Sequence, residues 1–357
     1  MPGLYPARLA QSPQARQAIR TSQVLLNLLG LIEPDLDLEK ALTNLDIEQV
    51  AGFYIPAEKA FYVVEKGEQT ALDQIVIAHE YTHALQDQHF GLAKLSDRSL
   101  DADRRRAFDA LVEGDATLAM SLYAGKYIPV IDLFQSIYTA SGVKKEALSD
   151  SPAFLQEMYL FPYEQGLKFV HALYESGGWA AVNTAYATPP QSTEQILHPE
   201  RYRQKDEPQI VSLPDLAAGL GGGWRKMESD VLGELGLRLA LAKHVGPAAA
   251  MQAAEGWGGD RYVLLQQGTD GPYALVMRTS WDDRNEADEF WTLYQTCMAH
   301  RVGYIEEVSE LVGEVRSHWW LTENSCVLAK REGSTITIVV AKNKETVNQI
   351  LKALASP

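Results

Sequence analysis

Cysteine is scarce in this chain of 357 residues, which contains only Cys297 and Cys326. The two residues form no CxxC unit and have no metal-ligand spacing, so the sequence predicts no cysteine-based metal site. We expect two buried thiols, because free cysteine packs as a small hydrophobic side chain. A single disulfide is the alternative, and it would imply export.

Basic residues are also few. The chain has 32 Lys and Arg against 47 Asp and Glu, which gives a formal net charge of −15. A protein that binds duplex nucleic acid needs clustered Lys and Arg to neutralise the phosphates. We therefore expect no nucleic acid among its partners.

Long apolar runs are missing as well. No stretch of about 18 or more uninterrupted apolar residues occurs, so we expect no integral membrane segment. Residues 1–17 lack the apolar core of a signal peptide. As the sequence stands, this predicts a cytoplasmic protein, whereas an exported protein would follow if a leader has been removed. The sequence carries no signal for an oligomeric state.

The composition otherwise suits a folded protein, with 46% hydrophobic and 22% charged residues. Helical patterns dominate up to about residue 256, with a hairpin predicted over 49–64 and a loop or linker over 203–223. After Trp257 strand-like runs alternate with helices. We predict an α+β fold, with a mainly helical domain over 1–256 and a small α+β domain over 257–357.

The C-terminal domain has a simple predicted order, two strands and a helix followed by three strands and a helix. We find no convincing internal repeat of fixed period, although the two halves of this domain are vaguely similar. The predicted strands cover 261–266, 273–280, 315–321, 325–331 and 335–341, and the helices cover 285–299 and 343–354.

The segment HEYTH at residues 79–83 carries the chemistry. Within a helix, His79 and His83 lie one turn apart on the same face and can bind one metal ion. Glu80, next to the first ligand, can act as a general base. This is the HExxH pattern of zinc peptidases. Two hydrogen-bonded core histidines are the structural alternative.

A catalytic zinc ion keeps three protein ligands, so a third ligand must come from elsewhere in the chain. Glu113 is the best candidate, because it is a carboxylate in an otherwise apolar helix and a metal would compensate its charge. Its neighbours Ala110, Gly114 and Ala116 are small. We expect them to let this helix approach the histidine-bearing helix closely.

With these residues the chain resembles the gluzincin metallopeptidases, which carry HExxH on one helix and a Glu ligand on a following helix. The runs AHEYTHALQDQHF and LVEGDATL look like a prokaryotic branch of zinc-peptidase-like proteins. The resemblance covers about residues 45–200. It implies a zincin-like fold with an edge strand beside the cleft, a Zn²⁺ cofactor and a peptide or protein substrate. The interval from His83 to Glu113 is longer than in the thermolysin-like and aminopeptidase branches.

The resemblance also implies a Tyr or His that stabilises the oxyanion. Tyr163 and His198 are the candidates, and Tyr163 is favoured because Pro162 is predicted to begin a helix there. Three carboxylates could orient the ligating imidazoles, with Asp115 slightly ahead: Asp87, Asp109 and Asp115. His171 lies among apolar residues and is predicted to be a core histidine.

The expected function is therefore zinc-dependent hydrolysis of peptide bonds. A non-catalytic scaffold or interaction module stabilised by zinc is the alternative, although a structural zinc site needs no general base. No motif that would bind a free terminus stands out, so endopeptidase and exopeptidase action both stay open. The tryptophans of the C-terminal domain are predicted to be core and turn residues: Trp257, Trp281, Trp319 and Trp320.

Overall fold

The computed structural model describes residues 12–46, 52–55, 58–63, 70–92, 99–132, 151–301 and 306–355. The chain forms two compact units. Unit 1 comprises Met1–Arg16 and Asp37–Asp206, and unit 2 comprises Gln17–Leu36 and Glu207–Pro357. Helices dominate unit 1 and an antiparallel sheet dominates unit 2, so the predicted α+β class is confirmed. None of the helices in the described ranges combines the length and apolarity needed to span a bilayer.

The division between the units lies at residue 206 rather than near residue 256. Unit 2 also includes a segment from close to the N-terminus. The predicted boundary was too late because the first strand of the sheet is polar and partly exposed, and it has no apolar alternation to reveal it.

Helices carry most of unit 1. The first helix within the described residues, α1 (Pro13–Leu29), belongs to unit 2 from Gln17 onward. The elements of unit 1 that the described residues form after it are α2 (Leu38–Asp46), β1 (Gly52–Ile55), β2 (Ala60–Val63), α3 (Ala71–Phe90), α4 (Ala102–Tyr127), α5 (Ala153–Ala187), α6 (Thr193–Leu197) and α7 (Pro199–Gln204).

Local sequence signals set the ends of α3. Thr70 caps its N-terminus in a capping box, since its hydroxyl accepts from the Asp73 amide and Asp73 accepts from the Thr70 amide. Gly91 ends the helix in the left-handed conformation, with φ of 69°. The predicted hairpin is confirmed for β1 and β2, which pair antiparallel with Gly52 opposite Val63. Residues 49–51, 56–57 and 64 of the predicted hairpin lie outside the described residues.

The helix α4 lies between α3 and α5, and its contact with α5 is unusually close. A Cβ atom on Gly114 would lie 2.2 Å from the carbonyl carbon and oxygen of Gly166, and one on Gly166 would lie 2.2 Å from the carbonyl oxygen of Ala110. The two helix backbones therefore touch. Two of the small residues of α4, Ala110 and Gly114, thus permit a close approach to α5, whereas the prediction had assigned this role to the contact with α3.

The long helix α5 differs from its prediction at Pro162, which lies inside the helix and does not begin it. Proline at an interior position removes one backbone hydrogen bond and usually kinks or ends a helix. Here the departure from helical geometry comes later, at Gly177 and Gly178, where Gly178 has φ of 62°.

Unit 2 is built around a seven-stranded antiparallel sheet with the order β3-β4-β5-β9-β8-β7-β6. All five predicted strands are present, and β3 and β6 are additional. The elements are α8 (Leu216–Leu220), β3 (Trp224–Asp230), α9 (Gly233–Val245), α10 (Pro247–Ala254), β4 (Trp257–Gln267), β5 (Tyr273–Trp281), α11 (Arg284–Arg301), β6 (Glu306–Val312), β7 (Val315–Leu321), β8 (Cys326–Glu332), β9 (Thr335–Ala341) and α12 (Lys344–Ala355).

The sheet consists of two similar halves. Three strands and a helix, β3-β4-β5-α11, with α9 and α10 inserted between β3 and β4, are followed by β7-β8-β9-α12, and β5 pairs with β9 at the centre. Asp283 and Asn343 occupy equivalent positions, because each accepts a hydrogen bond from the amide three residues later at the start of its helix. This arrangement is the basis of the similarity between the halves, and β6 extends only the second half.

The core of unit 2 contains the residues expected there. The four tryptophans predicted as core and turn residues are buried, and both cysteines are buried free thiols. The segment Gln17–Leu36 is part of this core, with Leu25, Leu29 and Ile32 buried. Arg301 donates to the carbonyl oxygens of Asn27 (3.1 Å) and Leu28 (2.7 Å) and so caps the C-terminus of α1.

Candidate metal centre

Two helices of unit 1 bring the predicted metal ligands together. His79 and His83 lie one turn apart on α3, and Glu113 lies in the middle of α4. The Nε2 atoms of the two histidines are 3.1 Å apart. Oε2 of Glu113 lies 3.1 Å from His79 Nε2 and 3.3 Å from His83 Nε2. Three ligand-type atoms thus converge on one point.

The size of this triangle can be compared with the coordination geometry of zinc. Bond lengths of about 2.0–2.1 Å in a tetrahedron place neighbouring ligand atoms roughly 3.3 Å apart. The three observed separations lie close to this value. His83 is fully buried and Glu113 is 8% exposed, so water does not compensate the carboxylate. The donor set, two imidazoles and one carboxylate, suits a catalytic zinc ion.

The carboxylate of Glu113 depends on the two histidines in this arrangement. Burial alone would raise its pKa, but the charges and hydrogen bonds of His83 and His79 outweigh burial and hold the pKa of Glu113 well below its usual range. The attraction is mutual, because Glu113 raises the pKa of His83 despite the burial of that ring. Glu113 therefore keeps the negative charge that a carboxylate ligand would need, although it is buried.

Gln86 fixes the orientation of His83. Its amide Nε2 donates to the carbonyl oxygen of Val112 (3.0 Å) and to Oδ2 of Asp115 (2.8 Å). Both partners are acceptors, so the amide oxygen must face Nδ1 of His83, which lies 2.8 Å away. Nδ1 therefore carries a proton in either charge state, and in the neutral imidazole the lone pair lies on Nε2, which faces the other ligand-type atoms.

The chain of hydrogen bonds continues beyond Gln86. Oδ2 of Asp115 also accepts from the hydroxyl of Tyr186 at 2.7 Å, and the ring of Tyr186 stacks on Phe90 with centroids 4.0 Å apart. Asp115 was the favoured candidate for a direct contact with a ligating imidazole. Its carboxylate instead accepts a hydrogen bond from Gln86, and the amide oxygen of Gln86 faces His83. The carboxylate of Asp87 accepts a hydrogen bond from the hydroxyl of Tyr54.

Glu80 is held by the hairpin. Its Oε2 accepts from the backbone amide of Tyr54 on β1 at 2.9 Å. The hydroxyl of Tyr54 donates to Asp87 on α3, also at 2.9 Å, so one residue ties β1 to the helix at two points. Burial raises the pKa of Glu80, although His83 and His79 lower it in part. A raised carboxylate pKa is suited to a general base at neutral pH.

Tyr163 lies beside the ligands, and its ring centroid is 6.2 Å from that of His79. Burial, and after it the charge of Glu113, raise the pKa of Tyr163 well above its usual range, so its hydroxyl keeps its proton. None of the residues that the structure describes forms a hydrogen bond with this hydroxyl. The contact between Gly114 and Gly166, one turn further along α5, brings Tyr163 close to Glu113.

His198 and His171 are placed differently. His198 lies between α6 and α7, with Nδ1 3.8 Å from Glu200, and its catalytic role stays a prediction. The prediction for His171 was wrong, because its side chain is 53% exposed and faces Glu175 one turn later. The apolar residues around it in sequence pack on the opposite side of α5.

Asp109 was considered as a partner for an imidazole, but it lies one turn before Glu113 on α4. Burial above all, and to a smaller extent the charge of Glu113, raises the pKa of Asp109 to about 6, against opposing positive charges that include Arg106 and Arg105. Within the described ranges, no side chain or amide donates a hydrogen bond to its carboxylate.

Sequence reasoning missed Gln86, Tyr54 and Tyr186. Gln86 could have been found, since it lies three residues after His83 on the same helix and is thus on the same face. The hydroxyl of Tyr54 binds a carboxylate 33 positions away in the chain, and that of Tyr186 binds one 71 positions away. No local sequence pattern indicates such distant contacts.

A comparison with protein-family models finds a match within unit 2. Residues 223–351 match the family model of a domain of unknown function, DUF8575. No curated protein and no solved structure matches the chain. The matched range begins at β3 and ends within α12, so it follows the sheet of unit 2 and excludes the residues of the candidate metal centre.

Proposed function

We propose that unit 1 is a zincin-like metallopeptidase unit, which hydrolyses peptide bonds of peptide or protein substrates with Zn²⁺ held by His79, His83 and Glu113. The convergence of the three ligand atoms at 3.1–3.3 Å is the observation that carries the proposal. The proton of His83 on Nδ1 adds support, because it leaves Nε2 free to bind a metal.

The residues around the ligands have matching roles. Zinc bound there would polarise the scissile carbonyl and acidify the attacking water. Glu80, next to His79 and oriented by the Tyr54 amide, takes the proton from water and passes it to the leaving amine. The hydroxyl of Tyr163 donates to the oxygen on which negative charge develops.

The β1 strand belongs to the same proposal. It lies against α3 through Tyr54, as an edge strand beside a zincin cleft would. A substrate in extended conformation could pair with such a strand through its backbone groups.

The first test is cleavage of an unfolded protein by zinc-loaded protein, compared with a chelated sample and with Glu80→Gln. We expect chelation to abolish cleavage. We expect Glu80→Gln to lower the rate by about 10²–10⁴-fold, because general-base catalysis contributes that much. The variant should still bind one zinc ion per chain, since Glu80 is not a ligand.

Two results would contradict the proposal. If the protein binds no zinc, or if His79→Ala and Glu113→Ala leave zinc binding unchanged, the three residues are not a metal site. If one zinc ion binds per chain but no peptide bond is cut, the non-catalytic scaffold replaces the peptidase.

A further inference from the structure

Asp115 joins two hydrogen bonds in the interior of unit 1. Its Oδ2 atom accepts from the amide Nε2 of Gln86 at 2.8 Å and from the hydroxyl of Tyr186 at 2.7 Å. All three side chains are buried. In a buried network each hydrogen bond is strong and constrains the position of both partners. Asp115 therefore links the hydroxyl of Tyr186 on α5 to the amide of Gln86 on α3.

Packing fixes the ring of Tyr186 independently of its hydroxyl. The ring stacks on that of Phe90, with centroids 4.0 Å apart and planes 4° from parallel. Phe90 is the last residue of α3, and Tyr186 lies in the last turn of α5. Because a stacked and buried ring has little freedom, its hydroxyl is a fixed donor towards which the carboxylate of Asp115 orients.

The hydrogen bonds of this network have one polarity. Burial and the charge of Asp115 raise the pKa of Tyr186 well above its usual range, so the hydroxyl keeps the proton that it donates. The amide nitrogen of Gln86 donates to Asp115 and to the carbonyl oxygen of Val112. Only the amide oxygen of Gln86 then remains for the Nδ1 proton of His83. With the amide reversed, its NH₂ group would face Nδ1, and a neutral imidazole would carry its proton on Nε2.

We propose that Tyr186 is a positioning residue of the candidate metal centre. Its hydroxyl holds the carboxylate of Asp115, and that carboxylate orients the amide of Gln86 together with the Val112 carbonyl group. The amide oxygen in turn keeps the proton of His83 on Nδ1 and leaves Nε2 to bind Zn²⁺. This inference rests on the metal site of the proposed function, and it gives the last turn of α5 a role in metal binding.

The first variant removes only the hydroxyl. Tyr186→Phe keeps the ring and its contact with Phe90. We expect it to weaken zinc binding of the full-length protein by about 10-fold, at the lower end of the range for residues that orient metal ligands, because the Val112 carbonyl group still holds Gln86. The measurement is competition with a chelator of known zinc affinity.

The matched control is Tyr202→Phe. It removes a hydroxyl that donates to the backbone carbonyl oxygen of Thr188, also within unit 1. We expect it to leave the zinc affinity unchanged. If Tyr186→Phe binds zinc as tightly as the wild-type protein, or if both variants weaken binding equally, Tyr186 is not a positioning residue.

A double-mutant cycle tests the route through Gln86. Coupled residues are not additive, so Tyr186→Phe should lower the zinc affinity no further once Gln86→Met has broken the connection to His83. The same loss in both backgrounds would mean that Tyr186 acts only through the stability of the fold, and it would overturn the proposal.

The Nδ1 proton of His83 provides a readout without metal and without turnover. In the zinc-free protein, its NMR resonance reports the hydrogen bond to Gln86. We expect Tyr186→Phe to shift this resonance upfield and to speed exchange of the proton with water, whereas Tyr202→Phe should do neither. These changes support the inference even if the protein cuts no peptide or binds no zinc. An unchanged resonance and exchange rate overturn it even if peptides are cut.

Discussion

Gln86 connects the candidate ligand His83 to the interior of unit 1. Replacing it with Met preserves the volume but removes the acceptor for Nδ1 and one donor to Asp115. Partners of this kind typically change metal affinity by about 10–100-fold. We expect Gln86→Met to weaken zinc binding by that factor, measured by competition with a chelating dye.

The matched control for this experiment is Gln88→Met, on the same helix but exposed. It should leave the zinc affinity unchanged. Equal affinities of Gln86→Met and the wild-type protein would show that the imidazole needs no such support.

Tyr163 offers a second test at the level of one atom. Tyr163→Phe removes only the hydroxyl, and loss of one oxyanion donor costs about 10²–10³-fold in kcat. We expect that loss in peptide hydrolysis, with zinc affinity retained. If kcat is unchanged, Tyr163 does not donate in the reaction, and His198→Gln becomes the variant to measure.

Whether a residue of the candidate site could be predicted depends on how far along the chain its partner lies. His79, Glu80 and His83 follow from a spacing of four on one helix. Glu113 was chosen as the third candidate ligand because a carboxylate in an apolar helix needs compensation, and the structure places it beside both histidines. Tyr54 binds Glu80 through a backbone amide, and an amide leaves no trace in the amino-acid sequence.

Among the elements, the crossing of α4 and α5 is the most sensitive to change. Gly114→Ala would place a methyl group 2.2 Å from the Gly166 backbone, so the helices must separate. Overpacking of this kind costs about 1–3 kcal/mol. We expect a loss of this size in the free energy of unfolding, measured with urea.

Gly125→Ala is the control, because it lies on α4 with no atom within 4 Å of the added methyl group. It should be neutral or stabilise by up to about 1 kcal/mol, since Ala is the better helix former. If Gly114→Ala is equally harmless, α4 and α5 can move apart without loss.

Elements with strong patterns were predictable, and elements that depend on tertiary contacts were not. The helices α3 and α4 have caps and apolar faces, and β9 is an almost continuous apolar run. Both β3 and β6 are polar edge strands, so neither shows the alternation that identifies a strand. Pro162 was misplaced because proline usually marks the first turn of a helix.

At the scale of the whole molecule, unit 2 is assembled from two distant parts of the chain. The side chains of Leu28 and Leu29 line an apolar cavity with Leu237, Leu241 and Ile338. A fragment of residues 207–357 would lack this cover. We expect it to bind a hydrophobic dye and to melt at a lower temperature than unit 2 in the full chain.

Adding a synthetic peptide of residues 12–36 should reverse both effects. The same peptide with Leu25→Asp and Leu29→Asp serves as the control and should not bind, because both leucines are buried in the intact protein. If the fragment is equally stable without any peptide, the N-terminal segment is not needed for the core of unit 2.

The capping of α1 by Arg301 has a consequence for biosynthesis. The guanidinium lies 274 positions after Asn27, whose carbonyl oxygen it binds. At about 5–20 residues per second, a ribosome needs roughly 15–55 s to synthesise that interval. During this time the last carbonyl groups of the nascent helix lack their capping donor, and its leucines lack the apolar partners that follow later in the chain.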